Sequence, residues 1–440
     1  MEIFSKLHKW FICAIVFLNG YQFILPVNYD DDSNKVYIHL PSWATSYEVV
    51  HGVHTADFLF IVYFFIFGFR QLKNITKFQK PLWFAYGLIA LSLVGILSTF
   101  VNFEIFSDYF EAIKLIMLAY FFLFIYFWSN TLGAVFILRV FMIGLSISSI
   151  VNLYFTFSNP VRLLGAIPML LGQNGPGGSA GFLMFLAAWL SVLSSNKIDK
   201  LLIIFFILIN GFLLMISYSK LGVLMGVLGI LSFIFIQFRG SIVKMVRKRL
   251  IPLVVFMSVF VFWLLASSSG EVIRDGAATI FDHKIGNDGS NAFDSGDKER
   301  LYYFFAVGEI FAINPLFGVG YNGFLTAIKS TDAHESGEMS EEESEVNSNP
   351  HNAFLYYISA NGVLGLFIVT FLYSLFLVTF FQVFKPYGLS GLLTFFCIGC
   401  ASLIHTNALI GFFNTTIMYL PLGVAYSLNN KRHNEFKGII

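Results

Sequence analysis

The stretch HNAFLYYISANGVLGLFIVTFLYSLFLVTFF, His351 to Phe381, contains no Asp, Glu, Lys or Arg, yet it follows closely on the acidic run HESGEMSEEESEV, His334 to Val346. A helix needs roughly 17 to 25 mostly apolar residues to cross a hydrocarbon layer, and this run supplies them. In lipid, backbone N–H and C=O groups can pair only within their own segment, so such a run must be helical. The fold class depends on whether this pattern is unique or repeated.

It is repeated. The chain has 440 residues, 57% hydrophobic and 12% charged, with a mean hydropathy of +0.74. A soluble domain carries about a quarter charged residues, which excludes that class. Apolar runs of spanning character fall near 10–27, 56–69, 81–101, 112–128, 131–157, 176–195, 201–216, 221–237, 250–266, 353–382, 388–405 and 408–427. The expected fold is therefore an all-α polytopic membrane protein of about 12 transmembrane helices. The run at 56–69 is short, and 388–427 can be divided in more than one way. KLHKWFICAIVFLNGYQFILPV lacks a small-residue cleavage site and reads as a first spanning helix.

Lys and Arg orient the spans. With the N-terminus inside, the inner segments collect Lys6 and Lys9, RQLKNITKFQK, Lys197 and Lys200, FRGSIVKMVRKR, Lys385 and the tail with Lys431, Arg432 and Lys437. These are 17 of the 27 Lys and Arg residues. An even number of spans puts every basic cluster on one side and both termini in the cytoplasm, while the outer connections hold most acids, including Asp30 to Asp32. The net charge of +1 hides this asymmetry. Cys13, Cys397 and Cys400 all fall in predicted spans, where a packing role is expected.

One connection differs from the rest. Residues 267–351 stay out of the membrane, far longer than the usual handful of loop residues, and divide the chain into helices 1–9 (1–266), this outer loop, and helices 10–12 with a cytoplasmic tail (352–440). Within the loop, RLYYFFAVGEIFAI, Arg300 to Ile313, carries a stripe of Leu301, Phe304, Phe305, Gly308, Phe311 and Ala312. It is too short to span and is expected to lie at the interface as an amphipathic helix. The acidic run that follows reads as a solvated linker, without the spacing of a calcium loop.

Several basic or titratable groups sit at outer helix ends, against the positive-inside preference: Lys114, Arg162, Lys220, Arg300 and His351. Together they suit an anion at the outer surface, and a lipid-linked diphosphate is such an anion. Arg forks hold phosphate oxygens in pairs and Lys adds a point charge. Cations can stabilise a departing diphosphate without a metal, and no cofactor is called for. A transferase also needs a base near neutral pH, for which histidine is suited. Transport is the competing class, but Arg139 is the clearest interior charge and lies toward the inner end, where it can snorkel. No internal repeat is evident. The 54 Phe residues are expected to be mainly lipid-facing bulk.

From Arg300 to Leu366 the sequence resembles the shared core of the O-antigen ligase / O-antigen polymerase family of bacterial surface-polysaccharide enzymes. The residues that carry the resemblance are ERLYYFFAVGEIFAINPLFGVGYNGF and PHNAFLYYISANGVLGL, which contain an Arg opening a helix, N-P-L-x-G-x-G, and H-N followed by G-x-x-G. Upstream, RLLGAIPMLLGQNGPGGSAGFL, LLMISYSKLGVL and AIKLIML are similar to further family segments. Lys220 stands where the family usually has arginine.

The resemblance implies metal-independent, inverting glycosyl transfer at the periplasmic face of the inner membrane, from an undecaprenyl-diphosphate-linked oligosaccharide. His351 would act as base on the acceptor hydroxyl. Arg300, Arg162 and Lys220 would hold the diphosphate, with Lys114 beside them. Tyr321 and Gln173 are further substrate-binding candidates, and Asn352 is either such a contact or the cap of the helix that starts there. Gly318, Gly320, Gly362 and Gly365 are assigned to turns and close packing. Polymerisation of lipid-linked repeat units is the favoured activity, because divergence at Lys220 and in the acidic insert suits an enzyme adapted to its own glycan. Ligation of the finished glycan to lipid A-core is the alternative, and a polysaccharide flippase a remoter one. The expected partners are the lipid-linked donor, the bilayer, and a chain-length regulator or lipid A-core acceptor, with no nucleic acid.

Overall fold

The computed structural model describes residues 2–21, 27–30, 35–38, 60–68, 79–102, 106–158, 184–216, 220–237, 294–321, 323–332, 352–408 and 416–437. The ninth predicted span (250–266), the acidic run, Arg162, Gln173 and His351 lie outside the described residues.

The long helices fall where the apolar runs predict them. They are α1 (Glu2–Tyr21), α2 (Gln79–Val101), α3 (Phe106–Leu132), α4 (Ala134–Ser158), α5 (Phe185–Leu193), α6 (Lys197–Ile216) and α7 (Lys220–Gln237). Within the long connection 267–351 come α8 (Asp294–Ile313) and the short α9 (Gly323–Ile328). The chain closes with α10 (Ala353–Phe384), α11 (Gly388–Ala408) and α12 (Thr416–Lys437). The short run at 56–69 contains a π-wound turn, Phe64–Gly68. An antiparallel pair of four-residue strands, β1 (Val27–Asp30) and β2 (Lys35–Ile38), departs from the all-α expectation and lies in the connection after α1. Its alternating Val, Tyr and Ile residues are good strand formers.

Among the described residues, three segments are long and apolar enough to cross a membrane: Trp83–Val101, Ala112–Leu132 and Ala353–Leu403, the last covering both α10 and α11. The polytopic helical class therefore stands. The bundle is apolar outside as well as inside: Trp83, Leu93, Phe100, Phe367 and Phe396 are all exposed, as lipid-facing side chains are. Among the described residues phenylalanine is not chiefly lipid-facing, however. Phe60, Phe121 and Phe124 form an edge-to-face cluster in the core, and Phe376 packs on Phe380. Aromatic rings fill interhelical space with specific geometry, a use that hydropathy alone does not reveal. Cys397 is buried and unbonded, as expected of a packing residue.

Contacts between distant helices sort their ends into two sets. Asn429 of α12 donates to the Thr379 carbonyl of α10 at 3.1 Å, and Gly423 of α12 packs on Ile125 of α3. Trp128 of α3 donates to Tyr63 at 3.2 Å, and His8 of α1 bonds the same hydroxyl at 2.9 Å. Arg139 of α4 pairs with Asp199 of α6. All of these lie at one end of the bundle, the end that carries Lys197, Lys200 and Lys385. The start of α1 and the end of α12 share it.

Arg139 does not snorkel. Its Nε donates to Asp199 Oδ1 at 2.6 Å and its Nη2 to Oδ2 at 2.9 Å, while Ser194 Oγ also donates to Oδ2. Asp199 is wholly buried, and a buried carboxylate must be paired. The bidentate fork supplies that pairing and ties α4 to the turn between α5 and α6.

Candidate active site

The other end of the bundle carries the described sequence candidates Lys114, Lys220, Arg300, Tyr321 and Asn352, and it is organised around an interruption in α10. Gly362 has φ 63° and ψ −157°, a conformation essentially confined to glycine. The helix therefore comprises a nine-residue upper piece, 353–361, and a lower piece, 363–384. The lower 22 residues already reach about 33 Å at 1.5 Å per residue, enough for the hydrocarbon layer. The upper piece is not needed for crossing and can be aimed independently.

The gap is filled by the turn Asn314 to Tyr321, which continues directly from α8. In an unbroken helix the N–H of Val363 would bond the carbonyl of Ser359. Here Val363 N–H donates to Pro315 O at 2.9 Å, and Ser359 O accepts from Val319 N–H at 2.8 Å. One residue further on, Ala360 O accepts from Gly320 N–H at 2.9 Å and from Ser98 Oγ of α2 at 2.7 Å. Freed backbone groups at membrane depth must find partners within the protein, and each of these does. The two glycine motifs interlock. A Cβ on Gly318 (φ 70°) would strike the Ser359 carbonyl, and one on Gly362 would lie 2.5 Å from Leu316 O. The assignment of these glycines to turns and close packing agrees with this geometry.

A small polar network surrounds the junction. Asn102, just past α2, donates through Nδ2 to Gly318 O at 3.0 Å and to Ser98 O at 2.8 Å. Asn361, fully buried, donates through Nδ2 to Tyr321 Oη at 3.1 Å. Its Oδ1 is buried without a hydrogen-bond partner. The Tyr321 ring lies against Gly95 of α2 and meets Tyr356 and Tyr357 with centroids 6.0 and 6.4 Å away.

α8 runs beside the upper piece of α10. Tyr303, Ala306, Val307 and Ile310 form a compact cluster with Val319, Phe324 and Ile328, and Leu355 and Ile358 pack against it. The face of α8 that meets protein is therefore a different row from the apolar stripe. Phe304, Phe305 and Gly308 of that stripe are exposed, with Phe311 partly so, because the smaller Ala306 and Val307 allow the closer helix contact.

This pairing places the sequence candidates. Arg300 lies one turn before Tyr303 on α8, and the N-cap of α10, Asn352, lies just before Leu355. The two positions share the same end of the α8–α10 pair. Asn352 Oδ1 accepts from the N–H groups of Phe354 at 2.9 Å and Leu355 at 3.2 Å, so it caps the helix that follows His351. Lys114, near the start of α3, is buried. It lies at the far end of α3 from Trp128 and hence at the end that holds Ser98, Asn102 and the α10 junction. Lys220 opens α7, at the end of the α6–α7 pair remote from Asp199. α2, α8 and α11 all pack on α10, with α3 against α2 and α7 against α11. The elements bearing Lys114, Lys220 and Arg300 thus surround one hub. Sequence reading missed Asn361, Ser98 and Asn102. The Asn-Gly pair inside an apolar run is the turn signal that could have identified the first.

Residues 203–370 match the family model described as O-antigen ligase. The matched range takes in Lys220, Arg300, Tyr321, His351, Asn352 and the whole α10 junction, in agreement with the resemblance read from the sequence. No curated protein matches the chain.

Proposed function

We propose that this membrane protein transfers a glycan from an undecaprenyl-diphosphate carrier to an acceptor hydroxyl, as a ligase, at the outer face of the bacterial inner membrane with both termini in the cytoplasm. The observation that carries the reading is the match of residues 203–370 to the O-antigen ligase family model. It coincides with the segment where α8, which carries Arg300, and the upper piece of α10, capped by Asn352, run side by side. The chemistry needs two things of the chain. A base removes the acceptor proton as the oxygen attacks the anomeric carbon, and His351 takes that role. The bond from that carbon to the diphosphate oxygen breaks on the opposite face. The charge left on the carrier is met by Arg300, Arg162, Lys220 and Lys114. Inversion follows from a single displacement.

Ligation replaces the sequence-based preference for polymerisation, because the matching family model is described as a ligase and the acceptor is not written in the cation set. Polymerisation remains the second reading, favoured by Lys220 and the acidic insert. Transport draws no support from the break in α10. In a transporter, broken helices present free backbone groups to cargo, whereas here Val319, Gly320 and Ser98 occupy them.

The deciding experiment is the lipopolysaccharide gel of a deletion strain. Bare core with lipid-linked polymer accumulated outside supports ligation. Core capped by one repeat unit replaces it with polymerisation. Repeat units retained on the cytoplasmic leaflet, or an unchanged gel, overturns glycan transfer.

A further inference from the structure

Asn361 presents a combination that packing does not explain. It is fully buried, it sits beside a glycine-only backbone conformation, it spends its amide N–H on Tyr321, and it leaves Oδ1 unpaired. A buried unsatisfied acceptor is a cost that folded proteins rarely keep without reason, and strained backbone of this kind gathers at functional sites. The location supplies a reason. Asn361 closes the nine-residue piece, 353–361, whose start is capped by Asn352. Immediately beside it is the Asn314–Tyr321 turn that continues from the Arg300 helix. Tyr321 belongs to that turn and Asn361 to that piece, so their hydrogen bond is a side-chain link between the two bodies. The backbone bonds at Ser359 and Ala360 fix the depth of the joint, and the Asn361–Tyr321 link resists rotation about it.

We infer that Asn361 and Tyr321 are positioning residues: their bond beside the α10 break fixes the upper piece of α10, which follows His351 in the chain, relative to the Arg300 helix, and neither contacts the diphosphate. Tyr321, a substrate-binding candidate by sequence, thereby acts through His351 and Arg300. The kinetic part of this proposal rests on the glycan-transfer reading, whereas its structural part does not.

The test uses the full-length protein with Asn361→Ala and Tyr321→Phe, the latter retaining the ring against Gly95. One arm measures transfer, with lipid-linked polymer extracted from a deletion strain as donor and its bare lipid A-core as acceptor. The second arm measures the distance between spin labels on Phe305→Cys and Phe354→Cys, in a background lacking Cys13, Cys397 and Cys400. Both variants are expected to lower kcat at least tenfold, with donor KM within twofold of wild type, an unchanged thermal transition and a broadened label distance. A raised donor KM with kcat retained overturns the proposal by making Tyr321 a substrate contact. Activity and thermal transition falling together overturns it in favour of a purely structural role. An unchanged label distance overturns it outright. Absence of transfer in the wild type defeats the functional reading instead, and the spin-label arm then decides the positioning proposal alone.

Discussion

Val363 donates its backbone N–H to Pro315 across 2.9 Å, and the carbonyl it would have used in a continuous helix, that of Ser359, is taken by Val319. Two residues of one turn replace a single helical bond. The fit depends on glycine at the crossing, and substitution tests it directly. Gly362→Ala is expected to cost roughly 1–3 kcal/mol of backbone strain, with a further cost from the clash with Leu316. Gly133→Ala is the control, because Gly133 also has positive φ (99°) but a methyl group there would meet nothing within 4 Å. That change should cost only about 1–2 kcal/mol. Thermal transitions in detergent and glycan gels measure both, and equal effects would refute the interlock.

The Arg139–Asp199 pair is expected to stabilise the bundle without serving the reaction, since it lies at the end remote from Lys114. Asp199→Asn should lower stability by about 1.5–3 kcal/mol, the usual scale for hydrogen bonds to charged groups. Arg139→Lys should also destabilise, because lysine cannot form the fork. A double-mutant cycle read by thermal melting should show coupling, and glycan transfer per folded molecule should be unchanged.

Arg300→Ala and His351→Ala should each abolish long-chain polysaccharide while membrane levels stay normal. Loss of a positioned base is worth typically 10²–10⁴-fold in rate. Arg300→Lys should retain partial transfer, since the charge survives and the bidentate contact does not. Full-length chains in the His351→Ala strain would remove that residue from the chemistry.

Lys114→Met is expected to keep the fold, because the aliphatic length is preserved in a buried position, and to raise the donor KM about tenfold, equivalent to about 1.4 kcal/mol. Lys220→Arg should sustain transfer and Lys220→Ala should impair it. A Lys114→Met protein with unaltered donor KM would exclude that side chain from the anion site.

Much of the fold was legible in the sequence because a bilayer imposes one demand on every segment. The run predicted at 81–101 is the helix Gln79–Val101, and that at 221–237 is Lys220–Gln237. The break at Gly362 was not foreseen, since the chain repairs it with backbone from Pro315 and Val319 and introduces no polar run that hydropathy would register. The packed face of α8 was not assignable from the sequence, because Ala306 and Val307 carry less apolar weight than Phe304 and Phe305, whereas close approach favours the smaller pair. Arg139 was seen as a lone charge because its partner lies 60 residues away. The basic candidates were legible as outliers from the positive-inside pattern. The network that surrounds the junction, from Ser98 to Asn361, consists of ordinary polar residues whose proximity only folding creates.

The junction also has a bearing on biogenesis. Ser98 reaches Ala360 across 262 residues of chain, so the ribosome completes α2 long before its acceptor carbonyl exists. The translocon must release α10 with that oxygen still lacking one of its eventual donors. Lateral docking of the early hairpin against the late one is then the step that seals the backbone, so the junction is among the last features of the fold to close.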